Sequence, residues 1–152
     1  MKSVCNDVET EPMLQLVYNR TNFSRLANIS NEARLDVRAR GFWRQGQNTV
    51  FDVRITNETC DSQRTSAVQT ILRKHETEKK RQYNQRVIEI EHGTFTPLVF
   101  TTSGAMDHEC DKFHKSLADK ISQKKDELYD EVMRYMRMNI SFLVLKSTLL
   151  CI

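Results

Sequence analysis

Asp36 and Asp52 lie in two short runs, RLDVRAR and TVFDVRIT, in which apolar and polar residues alternate. Alternation of this kind is the period of a half-buried strand, where residues two apart share a face. Asp52 and Arg54 therefore project together, opposite Phe51, Val53 and Ile55. If the two runs pair as an antiparallel hairpin, Asp36 comes alongside Asp52. Two carboxylates at that range repel one another unless a cation joins them. Mg²⁺, or Mn²⁺ in its place, suits the arrangement, taking one or two carboxylates, several waters and phosphate oxygens. Such an ion polarises a phosphodiester and lowers the pKa of its water, giving a nucleophile for hydrolysis. Lys79 is a third contributor, on the helical pattern that follows. It is the i, i+4 partner of Tyr83 and continues a stripe formed by Val68, Ile71, Leu72 and His75. A lysine on an inward stripe can orient the attacking water or stabilise developing negative charge. The plainer alternative is structural. The aspartates would pair with Arg34, Arg38 or Arg54 on a half-exposed sheet, and Lys79 would snorkel to water.

Basic residues crowd the same region. Arg34, Arg38, Arg40, Arg44 and Arg54 fall in one stretch, and Arg73, Lys74, Lys79, Lys80 and Arg81 follow. Clusters like these either neutralise phosphates and bind nucleic acid or form a solvated surface. Phe42 and Trp43, between Arg40 and Arg44 in a loop, either stack on bases or close one end of the core. Arg38, Arg40, Trp43, Arg44 and Arg54 are thus the candidate substrate-binding residues. His108, Cys110 and His114 form an HxCxxxH run of metal-ligand types, with no fourth ligand evident and packing as the alternative. His92, in a turn, is either an accessory acid or base or simply a turn residue.

The elements that must position these residues follow from period and punctuation. Val8–Tyr18 reads as extended or mixed, with Pro12 against a helix through its centre. Residues 19–31 read as a loop, 34–40 as a strand, 41–48 as a hairpin loop with two glycines, and 49–56 as the clearest strand. A helix is expected over about 64–86, ended by Gly93. A strand is expected over 95–101, at an edge or bulge because of Pro97. Helices are expected over 108–121, with Cys110, Phe113, Leu117 and Ile121 on one face, and over about 125–150, with Leu128, Val132, Tyr135 and Met136. The apolar stretch 140–152 is too short to span a bilayer and reads as a buried helix. The order strand, strand, strand, helix, strand, helix, helix is an α/β or α+β layer architecture.

The 152 residues leave room for one domain with a real core. Hydrophobic residues at 39% and charged residues at 28% are ordinary globular composition and argue against disorder. The net charge of +3 leans only slightly towards an anionic partner. Cys5, Cys60, Cys110 and Cys151 lie far apart with no CxxC pair, and the N-terminus has no apolar leader. An intracellular compartment, nuclear or cytoplasmic, is therefore the expectation, with no membrane partner.

The sequence RLDV, then FDVR, then a helix carrying KKRQY resembles the PD-(D/E)xK nuclease superfamily. It is most like the restriction-endonuclease-like domain of non-LTR retrotransposon polyproteins. The stretches EHGTFTPLVF and SFLVLKSTLLCI are also similar to uncharacterised invertebrate proteins found near reverse-transcriptase-derived sequence. The resemblance implies a restriction-endonuclease-like mixed sheet with helices, two of them extra at the C-terminus. It implies a nuclease-like core over about 34–101, a helical part over about 107–152, and a copy shortened at its N-terminus. It also implies a catalytic set of Asp36, Asp52, Lys79 and Tyr83, in which the family's lysine has moved from the strand to the helix in a K/RxxxY pattern. Leu35 stands where the family usually has proline, and Arg54 where many members have the strand lysine. The functions to weigh are a metal-dependent DNA endonuclease or its descendant, an inactive nuclease-fold module that binds nucleic acid, and a structural or interaction fragment of a larger polyprotein. Exposure of Phe142, Leu143 and Leu149 would favour the last.

Overall fold

A computed structural model describes residues 1, 4–14, 34–61, 63 and 65–150, without the side chains of Asn6 and Leu150. The loop expected over 19–31 lies outside the described residues. The fold is α/β: a mixed, parallel and antiparallel, four-stranded sheet with three helices. The elements are β1 (Asn6–Thr10), β2 (Val37–Arg40), β3 (Asn48–Thr56), α1 (Val68–Glu89), β4 (Thr94–Thr101), α2 (His108–Lys125) and α3 (Tyr129–Leu150). The strands lie in the order β1-β2-β3-β4, with β1–β2 and β2–β3 antiparallel. Pro97 thus sits on an edge strand, where its missing N–H costs no ladder bond. The described residues form two compact units, one within Met1–Val53 and Lys74–Pro97, the other within Arg54–Arg73 and Leu98–Ile152. Among them no helix is long and apolar enough to cross a membrane.

In the first unit the β2–β3 hairpin pairs Val37 with Phe51 and Arg40 with Asn48. Gly41 and Gly46 turn the loop with φ of 82° and 77°, a backbone region open to glycine at no steric cost. The first strand begins at Asn6 and ends before Pro12, and residues 15–18 of the stretch expected to be extended or mixed lie outside the described residues. A bulge between Asn6 and Glu9 accompanies a left-handed Asp7. β2 is shorter than the expected 34–40 because Asp36 leaves the ladder, its side chain rather than its backbone meeting β3. α1 closes this unit: Tyr83 and Val87 bury against Leu14, Leu35, Val50 and Phe95. The helix ends when His92 adopts φ 49° and the Gly93 N–H bonds to the Val87 carbonyl at 3.1 Å. Gly93 is required there for a different reason than helix termination, since a Cβ would meet the Asn48 carbonyl oxygen at 2.7 Å.

In the second unit Asp107 caps α2, its carboxylate accepting from the Cys110 N–H at 2.7 Å. Glu109 and Asp111 in the first turn and Lys124 and Lys125 in the last complement the helix dipole. Asp126, left-handed at φ 54°, ends α2 and separates it from α3, so the second helix begins at Tyr129 rather than 125. Val132 and Met133 of α3 pack on Ala118, with Ile121 and Met136 beside them. Two sequence expectations fail here. Leu128 and Tyr135 are outside the α2–α3 core, 70% and 64% exposed. The apolar C-terminal stretch is not a buried helix either: Val144 is buried, while Phe142, Leu143, Leu145 and Leu149 face water.

Candidate active site

Strand parity places Val50, Asp52 and Arg54 on one face of β3. Val50 joins the core under α1, and Asp52 follows it inwards, only 6% exposed. An aspartate so deep needs a positive partner. Lys79 supplies it from the middle of α1, with Nζ 2.5 Å from Asp52 Oδ2. The same ammonium lies 5.5 Å from the centroid of the Tyr83 ring one turn on, within cation–π range. Tyr83 in turn packs against Phe95, ring centroids 5.7 Å apart. The inward stripe therefore holds Lys79 on the sheet instead of letting it snorkel to water.

Asp36 completes the arrangement differently. Continuing the β2–β3 register one step past Val37–Phe51 sets Asp36 alongside Asp52. Its carboxylate bends into the plane of the sheet, and Oδ2 accepts from the Val53 N–H at 2.5 Å. The residue is otherwise exposed, so its second oxygen remains open to water or a cation. The two aspartates thus come from neighbouring strand positions, one buried and paired with lysine, the other at the surface and fixed by a backbone donor. Among the described residues no group of three or more His, Cys, Asp or Glu side chains is placed to hold a metal ion.

The remaining candidates divide. Arg40 and Arg44 are exposed at the β2–β3 loop, with Arg40 Nε 3.4 Å from the Gly46 carbonyl. Arg54 is half-buried on β3. Arg38 is occupied by carboxylates: it binds Glu91 Oε2 at 2.8 Å and Glu9 Oε2 at 3.5 Å. Phe42 belongs to the core, edge-on to both Trp43 and Phe51. The Trp43 indole N–H donates to Thr96 Oγ1 at 3.0 Å, so the indole is tied to β4 and only partly exposed. His92 is exposed in its left-handed turn.

Sequence reasoning did not single out Glu91 and Arg86. Arg86 is fully buried and Glu91 nearly so. Burial pushes the Arg86 guanidinium below its ordinary value, and the charge of Glu91 pulls it back. Glu91 also pairs with the partly exposed Arg38, so the turn after α1 brings the three charges together. Arg86 could have been found by carrying the Lys79–Tyr83 stripe one further turn. Glu91, in a turn, carries no periodic signal.

The HxCxxxH run does not converge. Cys110 and His114 are buried on α2 and His108 is exposed. Burial pushes the Cys110 thiol far up, with Asp107 and Asp111 adding to the effect, so it stays a protonated, inert side chain. Neither ring nitrogen of His114 has a hydrogen-bond partner among the described residues. Burial holds its pKa below the ordinary 6.5, reinforced by Arg137 and opposed by Asp111. The unfolded chain therefore takes up a proton near 6.5 that the native histidine resists. His114 accordingly favours the fold above that pH and loses this contribution as the pH falls towards the native pKa. Urea midpoints should drop between pH 7 and pH 5, and His114→Leu should flatten that decline.

No family model, no curated protein and no solved structure matches the chain.

Proposed function

We propose that the chain is a metal-dependent DNA endonuclease, or a descendant of one, hydrolysing phosphodiesters at Asp36 and Asp52 with Lys79. The observation that carries this reading is the reach of Lys79 from α1 to Asp52 on β3, at 2.5 Å. That is the meeting the resemblance to retrotransposon restriction-endonuclease-like domains implies. Asp36 and Asp52 would hold Mg²⁺ or Mn²⁺, which when bound polarises the phosphodiester and lowers the pKa of its water. Asp36 orients through the Val53 N–H, so its open oxygen has a fixed direction before any ligand arrives. The Lys79 ammonium, pre-placed against Asp52 and steadied by the Tyr83 ring, stabilises charge that develops on a phosphate oxygen. Tyr83 acts here as a positioning residue. Arg40 and Arg44 offer exposed charges to the DNA backbone.

Supercoiled and single-stranded DNA incubated with Mg²⁺ or Mn²⁺ should be nicked by the wild-type chain. Asp52→Asn should slow nicking at least ~100-fold, the scale of losing a group that acts on the reacting centre. Absence of cleavage with salt-sensitive binding retained would assign an inactive nuclease-fold module instead, with Lys79 standing permanently in the place of the cation's charge.

A second reading is favoured by a separate observation. Phe142, Leu143 and Leu149 are each more than 60% exposed on α3, which supports an interaction surface on this helix. The two readings concern different elements and are compatible.

A further inference from the structure

The exposed side of α3 is a single seam. Tyr135, Met138, Phe142, Leu145 and Leu149 recur at steps of three and four and are 64%, 52%, 64%, 57% and 63% exposed. In the sequence Ile152 takes the next step. A mean spacing of 3.5 residues keeps an apolar line on one side of a helix and lets it mesh with another helix of the same repeat. The opposite side of α3 is already used, since Val132, Met133 and Met136 pack in the α2–α3 core and Val144 is buried. Docking on α2 therefore consumes one apolar face and leaves a second.

We propose that α3 pairs with α3 of a second copy of this chain through that seam, making the protein a homodimer. The proposal rests on the reading of α3 as an interaction surface and is independent of nuclease activity. Three features select a second copy as the occupant. The seam leaves on the order of 500 Å² of apolar surface in water, at the upper end of what a monomer carries and more than half of the ~800 Å² per partner in a standard interface. A heptad-spaced line is matched by itself, because the partner copy brings the same knobs and holes. Asn139, Ser141 and Thr148 flank its middle without charge and Lys146 with a single one, so two copies bring few like charges together there. A membrane-surface helix needs a broad apolar face opposite a strongly charged one, whereas the reverse face of α3 is packed against protein.

Sedimentation velocity of the full chain from 1 to 200 µM tests the proposal, with vesicles of phosphatidylserine and phosphatidylcholine as a second arm. A dimer is expected in the micromolar range. Phe142→Glu with Leu145→Glu should raise its dissociation constant at least 100-fold while the far-UV circular dichroism of the chain stays unchanged. Met138→Lys, at the other end of the seam, should do the same and serves if the first variant misfolds. A monomer at every concentration, or a dimer untouched by both variants, overturns the proposal. A monomer that binds the vesicles also overturns it, while leaving α3 an interaction surface for lipid. A monomer that binds neither removes the interaction reading as well.

Discussion

Replacing Lys79 with methionine should destabilise the chain by about 2–3 kcal/mol and slow metal-dependent cleavage at least ~100-fold. The first effect is electrostatic. The Asp52 side chain is 9% exposed and that of Lys79 18%. Removing the ammonium leaves a carboxylate with little water to solvate it. Breaking a fully buried pair costs roughly 3–5 kcal/mol, and the partial exposure of Lys79 brings the figure to the lower end. Asp52→Asn should cost less, about 1 kcal/mol, because its neutral amide tolerates burial and the long lysine can turn outwards. The double variant Lys79→Met/Asp52→Asn should then be more stable than Lys79→Met alone. This sign of coupling identifies the ion pair as the source of the loss. Urea unfolding of the four proteins measures it, and a neutral Lys79→Met would mean that the pair does not form in solution. Cleavage separates structure from chemistry, since the double variant should regain stability and remain inactive.

The order of elements was legible because each rests on a period that burial imposes. TVFDVRIT alternates as a strand does, but the face of β3 that meets α1 carries Val50 and Asp52, while Val53 and Ile55 on the other face stand 43% and 37% exposed. Ile71, Leu72, His75 and Tyr83 share a stripe because α1 buries that side. The inward phase of Lys79 was legible from the α1 stripe, whereas the burial of Asp52 runs against the apolar side of β3 that the period marks. What escaped had no period. Asp36 ends β2 by bonding the Val53 N–H, a side-chain event no pattern reports, and His92 rather than Gly93 takes the left-handed position after α1. α3 misled for the opposite reason, having too much signal. Val132, Met136 and Val144 define one apolar line and Tyr135, Met138, Phe142 and Leu145 another. Both lines have helical spacing, so spacing cannot say which one the α2–α3 core covers.

Glu91→Gln is expected to lower stability by about 3 kcal/mol, a larger loss than a turn residue ordinarily causes. Among the described residues Arg86 is the largest side chain completely removed from solvent, and arginine does not escape burial by shedding its proton. The charge of Glu91 opposes the penalty that burial places on it. Glutamine keeps the shape and a hydrogen-bonding oxygen but not the charge, so the guanidinium is left under-compensated in a low dielectric. Glu91 also accepts from Arg38 at 2.8 Å, tying the turn after α1 to β2. Without the carboxylate charge that bond weakens, which loosens β2, the strand that begins beside Asp36. The urea midpoint should fall with an unchanged slope, and Arg86→Met in the Glu91→Gln background should recover much of the loss by removing the stranded cation. A Glu91→Gln chain as stable as wild type would show that water reaches Arg86. The ionic cluster would then be a surface feature with no part in setting β2 against α1.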